Sequence, residues 1–508
     1  MNYGFVIDNR RCIGCHACSV ACKAEHKVPL GKFRTWIKSV EQGIFPDVRR
    51  HATVLRCNHC EDAPCVSICP TAALYHRPDG IVDFDSAHCI GCRSCMAACP
   101  YDALYLDPET RTAAKCNYCS HRIEMGLEPP CVTVCPGQAI VAGDMDDLQS
   151  AIRTLMTGHQ LSTRKPEYDT RPRVSYIEGE TAVLVPEAAA RTATYAWAQR
   201  PQDEAVWDFS PAISNGPVRV AYDVSHEMPW GFPVPLSLWL QLLAAGPILV
   251  AALLGLGHYA RAPLLFGILA PGLAVTFTLA ALLFLIGDLR RPARLLKIIL
   301  HPNWRSWQMW GASILLAFAG VAFLWFAAGV LRLEQILRSL LWPGFLVAVM
   351  TAGYTAFLFW QARARDLWQS RLLFPHLLIQ SFLAGSAVLL LGAVFLNSGG
   401  SLTAFLCRCL LAALCAHTAL LLGEIALPDK NARADCAVKY MLQGPLAVYF
   451  WLGAGLTGIA LPVYLLALYV PGSFPITPLP VAAAIMSLAG LLAYEYCYVR
   501  AGQALPLS

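Results

Sequence analysis

Sixteen cysteines lie between Cys12 and Cys135 in four groups of four, a pattern suited to holding iron–sulfur clusters. They read Cys12-x2-Cys15-x2-Cys18-x3-Cys22, Cys57-x2-Cys60-x4-Cys65-x3-Cys69-Pro70, Cys89-x2-Cys92-x2-Cys95-x3-Cys99-Pro100 and Cys116-x2-Cys119-x11-Cys131-x3-Cys135-Pro136. The third group is the bacterial ferredoxin run, and the others are variants of it. Three closely spaced thiolates can reach three corners of one iron–sulfur cube. The fourth, displaced onto the following helical turn, ligates a neighbouring cluster. Zinc also takes C-x2-C pairs, but it does not explain a fourth cysteine at x3 followed by proline three times over. Four complete groups imply four 4Fe-4S clusters. The first departs from the run only in having Lys23 where the others have proline.

The elements that carry these groups belong to an unusually apolar chain. Of 508 residues, 56% are hydrophobic and 14% charged, with mean hydropathy +0.47. A soluble domain of this length could not cover its surface with so little charge. Residues 1–230 hold 23 Lys+Arg and 27 Asp+Glu, whereas 231–508 hold 16 and 7. The first part reads as an ordinary polar domain and the second as a membrane domain. No basic domain is present, which sets nucleic-acid binding aside. No signal peptide is visible: Asp8, Arg10, Arg11 and Cys12 interrupt any apolar run. Export and disulfides are therefore not expected.

The strings CNHCEDAPCVSICPTAAL, CIGCRSCMAACPYDA and CNYCSHRIEMGLEPPCVTVCPGQAI resemble the four-cluster iron–sulfur subunits of the dimethyl-sulfoxide-reductase superfamily, over about residues 3–178. The resemblance implies electron transfer between a separate molybdopterin catalytic subunit and a membrane anchor. It also implies crossed ligation. One cluster takes Cys12, Cys15, Cys18 and Cys135, and another takes Cys116, Cys119, Cys131 and Cys22. The inner two take Cys57, Cys60, Cys65 with Cys99, and Cys89, Cys92, Cys95 with Cys69. The implied fold is an α+β double ferredoxin-like domain over 1–178. Residues 179–230, with several prolines and scattered charge, read as a linker or docking arm.

Residues 231–508 read as an all-α bundle of eight transmembrane helices, near 235–257, 263–287, 309–330, 338–360, 373–396, 401–426, 445–469 and 479–499. An even number puts both ends on one side. Loops on that side, with Arg500, hold twelve positive residues: Arg290, Arg291, Arg294, Lys297, Arg305, Arg363, Arg365, Arg371, Lys430, Arg433 and Lys439 are the others. The opposite side holds Arg261, Arg332 and Arg338. That bias places the cluster domain on the cytoplasmic side of the inner membrane, although some of these arginines could serve docking. The segment 287–315, GDLRRPARLLKIILHPNWRSWQMWGASIL, and the segment 450–466, FWLGAGLTGIALPVYLL, resemble the NrfD-type anchors of polysulfide reductase. This resemblance implies a quinone-binding anchor without haem. Counting residues from the helix ends sets His376 and His417 at different depths, so no haem-binding pair is expected.

Intramembrane polar groups are costly unless they work or are paired. Asp288, Arg291, His417 and Glu424 lie within reach of the basic face, with His226 just before the first helix. They are the candidate quinone and proton site: Glu424 and Asp288 for protons, Arg291 for holding its loop. Pairing of Glu424 and Asp288 with Arg290 or Arg291 is the structural alternative. Arg408 and Glu495 read as snorkelling or paired within the bundle, and Tyr354, Gln241 and Gln361 as packing or interhelical hydrogen bonds. The expected function is an electron conduit between a molybdopterin enzyme and the membrane quinone pool. A nickel–iron hydrogenase partner is the alternative, as is a redox-coupled ion pump. Against the pump, Glu424, His417 and Arg408 occupy a single helix.

Overall fold

The computed structural model describes residues 1–190, 196–197, 218–258, 262–426, 431–469 and 478–508. Arg261, Lys430 and residues 191–195 and 198–217 of the expected linker lie outside the described residues. The N-terminal part is α+β. Strand Tyr3–Asp8 is central to one sheet, antiparallel to Ile140–Asp144 and parallel to Val174–Ile177. Its inward residues Phe5 and Ile7 are buried against Trp36, Val54 and Tyr118. A long hairpin, Thr35–Ile44 with Asp47–Arg56, forms a second sheet. Two short ribbons, Leu74–His76 with Val82–Phe84 and Leu104–Leu106 with Ala113–Lys115, follow the second and third cysteine groups.

The stretch read as a linker contributes to this domain. Strand Val218–Asp223 pairs antiparallel with Thr35–Ile44 and buries Val218 and Val220. Its alternation of buried and open residues is that of a half-covered strand.

Among its described residues the second half holds eight helices long and apolar enough to cross a membrane, as expected. They are Pro233–Leu253, Leu265–Asp288, Trp307–Val330, Glu334–Gln361, Leu373–Phe395, Gly400–Ala426, Tyr449–Leu468 and Pro478–Ala504, here numbered first to eighth. The first and fifth are the most enclosed, with 83% and 72% of their spans buried, so they form the bundle axis. They cross where Gly246 meets Gly385, and Gly458 meets Gly490 between the seventh and eighth helices. Without a hydrophobic force between helices in lipid, such small residues let backbones approach and gain packing. The residues left open on the outside, among them Leu283, Phe323, Leu324 and Trp342, are apolar side chains suited to lipid.

Candidate functional site

Each cysteine group sits on a loop that runs into a short helix: Ala17–His26, Pro64–Ile68, Ser94–Ala98 and Pro130–Thr133. Gly14 and Gly91, each just before a second cysteine, take φ of +69° and +72°. Only glycine adopts that curl at little cost, and the curl turns successive thiols inward. The last cysteine of each x3 step lies one turn onward and faces a different space.

Two of those spaces are pockets that each gather four cysteines. One is lined by Cys89, Cys92 and Cys95 of the third group and by Cys69 of the second. Another is lined by Cys12, Cys15, Cys18 and Cys135. Cys22 lies within electrostatic range of Cys116 and Cys131, and Cys119 of all three. Cys60 and Cys65 lie in the same way beside Cys57 and Cys99. Among the described residues no three His, Cys, Asp or Glu side chains converge as a single metal ion requires. A cube holds its ligands further apart than one zinc ion would, and the donor set suits it. Burial pushes the Cys18 and Cys22 thiols up to about 12. The positive charge of bound iron is what would ionise them.

The four sets are joined in a row. Cys18 neighbours Cys131, Cys57 neighbours Cys116, and Cys95 neighbours Cys65. The Cys12 set therefore lies at one end, with Cys15 exposed, and the Cys69/Cys89/Cys92/Cys95 set at the other. Arg56 is fully buried between the sets, with its guanidinium 4.1 Å over the Phe5 ring. Burial disfavours its charge, but Cys131, Cys116 and Cys18 outweigh that and hold its pKa above the ordinary value. A fixed positive charge stabilises the reduced, more negative state of an adjacent cluster. Arg56→Leu should lower the midpoint potential of a cluster held by the Cys116 or Cys12 set by about 60 mV or more, a tenfold shift for a one-electron couple. A potentiometric titration followed by electron paramagnetic resonance measures it, and an unchanged potential would disprove the role.

The row ends on the membrane helices. The loop between the second and third helices wraps the third cysteine group: Arg291 Nε donates to the Thr110 carbonyl at 2.8 Å, and Arg294 Nη1 to those of Ser86 and Cys89 at 2.6 and 3.1 Å. Asn303 Nδ2 donates to the Cys69 carbonyl at 2.8 Å. Asp288 forms a salt bridge with Arg93 at 2.5 Å, not with Arg290 or Arg291. Trp230 Nε1 donates to the Cys92 carbonyl at 3.3 Å and stacks on Trp368. Arg365, 4% exposed, donates to the Ala97 carbonyl. Arg291, Arg294, Lys297, Arg363 and Arg365 all bond the cluster domain, so five of the twelve positive residues serve docking.

The other candidates separate. His226 packs on Trp36 of the cluster domain at 5.1 Å between ring centres. His417 and Glu424 instead join a buried constellation across three helices. His376 Nδ1 lies 3.0 Å from Glu424 Oε2, its Nε2 lies 2.8 Å from His417 Nδ1, and the Tyr494 hydroxyl donates to Glu424 at 3.3 Å. The expectation that His376 and His417 stand at different depths is corrected, since their rings touch. Residue counts from the helix ends ignore the offset between the fifth and sixth helices. Glu424 pairs with His376, not with an arginine, and Arg408 is exposed on the sixth helix, as its snorkelling reading requires. The ionisable groups occupy more than one helix, contrary to the single-helix reading. His376 is absent from the candidates that the sequence suggests, although a histidine at the fourth residue of a membrane helix is itself a costly group. Gln241 and Gln361 behave as expected, Gln241 bonding Tyr354 and Gln361 bonding the start of the third helix.

A row of four cysteine sets docked through one end onto eight apolar helices defines an iron–sulfur electron-transfer protein with its own multi-pass membrane anchor. Comparison with known proteins agrees. Residues 222–506 match the family described as polysulphide reductase, NrfD, and residues 49–145 match the 4Fe-4S dicluster domain. The chain belongs to the NrfD family, with an iron–sulfur domain fused ahead of it. It is 43% identical over 188 residues to a subunit of the tetrathionate reductase of Salmonella typhimurium, covering 36% of this chain and 75% of that one. It is 41% identical over 180 residues to a component of the polysulfide reductase of Wolinella succinogenes, covering 34% and 93%. A putative dimethyl sulfoxide reductase iron-sulfur subunit of Halobacterium salinarum is 36% identical over 264 residues, covering 45% and 96%.

Proposed function

We propose that this chain carries electrons between a molybdopterin-containing catalytic partner and a membrane quinone, through four 4Fe-4S clusters held by the crossed cysteine sets. The observation that carries the reading is the row of ligand sets. One end opens to solvent at Cys15, and the other is bonded to the helix bundle through Trp230, Asn303 and Asp288. Relatives that are single components of tetrathionate and polysulfide reductases support a separate catalytic chain. Electrons enter the partner-facing Cys12 set and leave from the Cys69/Cys89/Cys92/Cys95 set into the bundle, or the reverse.

Quinone reduction takes two protons with two electrons, and buried carboxyl and imidazole groups relay protons at neutral pH. Glu424, with His376 and His417, is the group for that task; Asp288 and Arg291 hold the cluster domain. Glu424→Gln keeps size and hydrogen bonding but removes the titrating group. Quinone-linked turnover should fall roughly a hundredfold, the low end of what a positioned proton donor contributes. Transfer from the catalytic partner to an artificial dye should be unchanged. Wild-type quinone turnover in this variant would place the proton route elsewhere.

The cluster domain is proposed to face the cytoplasm. With the docking residues set apart, seven positive residues on that face still exceed three on the other. A reporter fusion at Ser508 should be active only as a cytoplasmic reporter and one in the loop 470–478 only as a periplasmic one. The opposite pair would invert the topology.

A further inference from the structure

The eighth helix brings a second carboxyl group beside Glu424. Glu495 is 2% exposed, hydrogen-bonded to Gln380 of the fifth helix, and within electrostatic range of Glu424. Glu424, on the sixth helix, and Glu495 thus belong to one polar track, and Tyr494, the residue before Glu495 on the eighth helix, donates to Glu424.

This track has unmet bonding capacity. Oε1 of Glu424, Oε1 of Glu495 and Oε1 of Gln380 are buried without a partner, as are the hydroxyls of Ser381 and Ser386 further along the fifth helix. A buried polar atom left unsatisfied costs about 1–3 kcal/mol. Internal water is the group that meets such needs, typically with about three hydrogen bonds to each molecule. Carboxyl groups enclosed in a membrane bundle are otherwise rare, and they persist where protons pass.

We propose that Glu424 and Glu495, linked by internal water, form a two-proton store serving each quinone turnover. The inference rests on the reading that the bundle exchanges electrons with a quinone. The balance is direct. One quinone takes two electrons, delivered singly by the clusters, and two protons, to give one quinol. Each carboxylic acid releases one proton and becomes a carboxylate. Both are refilled from water at the cluster-bearing face, through Glu424 and the His376–His417 pair, with Tyr494 handing protons on to Glu495. In quinol oxidation every step reverses, and the two carboxylates receive the protons.

The test uses the whole complex with its catalytic partner, in lipid nanodiscs, and a short-chain benzoquinone as electron acceptor. Two measurements are made: the quinone reduction rate and the infrared difference spectrum between oxidised and reduced states. The wild-type complex should show carboxyl C=O signals from two groups that shift in heavy water. Glu495→Gln should remove one of them and slow quinone reduction roughly a hundredfold, with partner-to-dye transfer unchanged. Glu495→Asp, which keeps a carboxyl group, should restore a shifted signal and part of the rate. It also serves where the glutamine variant does not accumulate. A wild-type rate with no carboxyl signal altered, in either variant, would overturn the store alone. Failure of the wild-type complex to reduce any quinone would overturn the store together with the reading beneath it.

Discussion

Cys95→Ala should abolish quinone-linked turnover while leaving the chain in the membrane and the catalytic partner active toward dyes. The four ligand sets lie in series, and Cys95 belongs to the cavity that Asn303, Arg294 and Trp230 bond to the helices. Electron tunnelling falls steeply with distance, so a missing last step cannot be bypassed from the set behind it. The intact chain should bind about 16 iron atoms, four for each proposed cluster, and the variant about 12. Loss of the cluster from the proximal cavity also leaves three thiols in a site where burial already raises Cys92 to about 11. Burial raises Cys89 in the same way, so these two thiols add no charge to the empty site. Iron analysis and resonance spectra of the three remaining clusters check this. Quinone turnover at the wild-type rate would remove the set from the electron route.

Gly246→Val should prevent accumulation of the folded bundle. A Cβ at Gly246 would come under 3.0 Å from the carbonyl of Ser381 and from the backbone of Gly385. Overpacking typically costs about 1–3 kcal/mol where side chains can give way. Here the atoms met are backbone on the most enclosed pair of helices, so the helices must separate. That separation would also displace Gln380 and His376 from Glu495 and Glu424. Gly320→Ala is the control, because nothing lies within 4 Å of its added Cβ. Fluorescence-detected size exclusion and thermal unfolding in detergent should show the valine variant lost and the alanine variant unchanged. A wild-type melting curve for Gly246→Val would show that the crossing yields.

What the sequence determined by itself is what neighbours along the chain decide. Cysteine spacing sets which thiols can share one loop, and hydropathy over about twenty residues sets whether a helix belongs in lipid. Both halves, the helix count and the iron–sulfur chemistry were therefore legible in the order of residues. Tertiary structure decided everything that depends on the offset and rotation of one element against another. The strand Val218–Asp223 found its partner about 180 residues back, beside Thr35–Ile44, where no local pattern pointed. Asp288 met Arg93 of the other half instead of the arginines next to it in sequence. His376 and His417, placed apart by counting turns, touch because the packing of the fifth helix on the sixth, not the position of their ends, sets how far one slides along the other. Side-chain spacing along a helix is fixed by its own geometry, but the height at which two helices meet is fixed only by what packs between them.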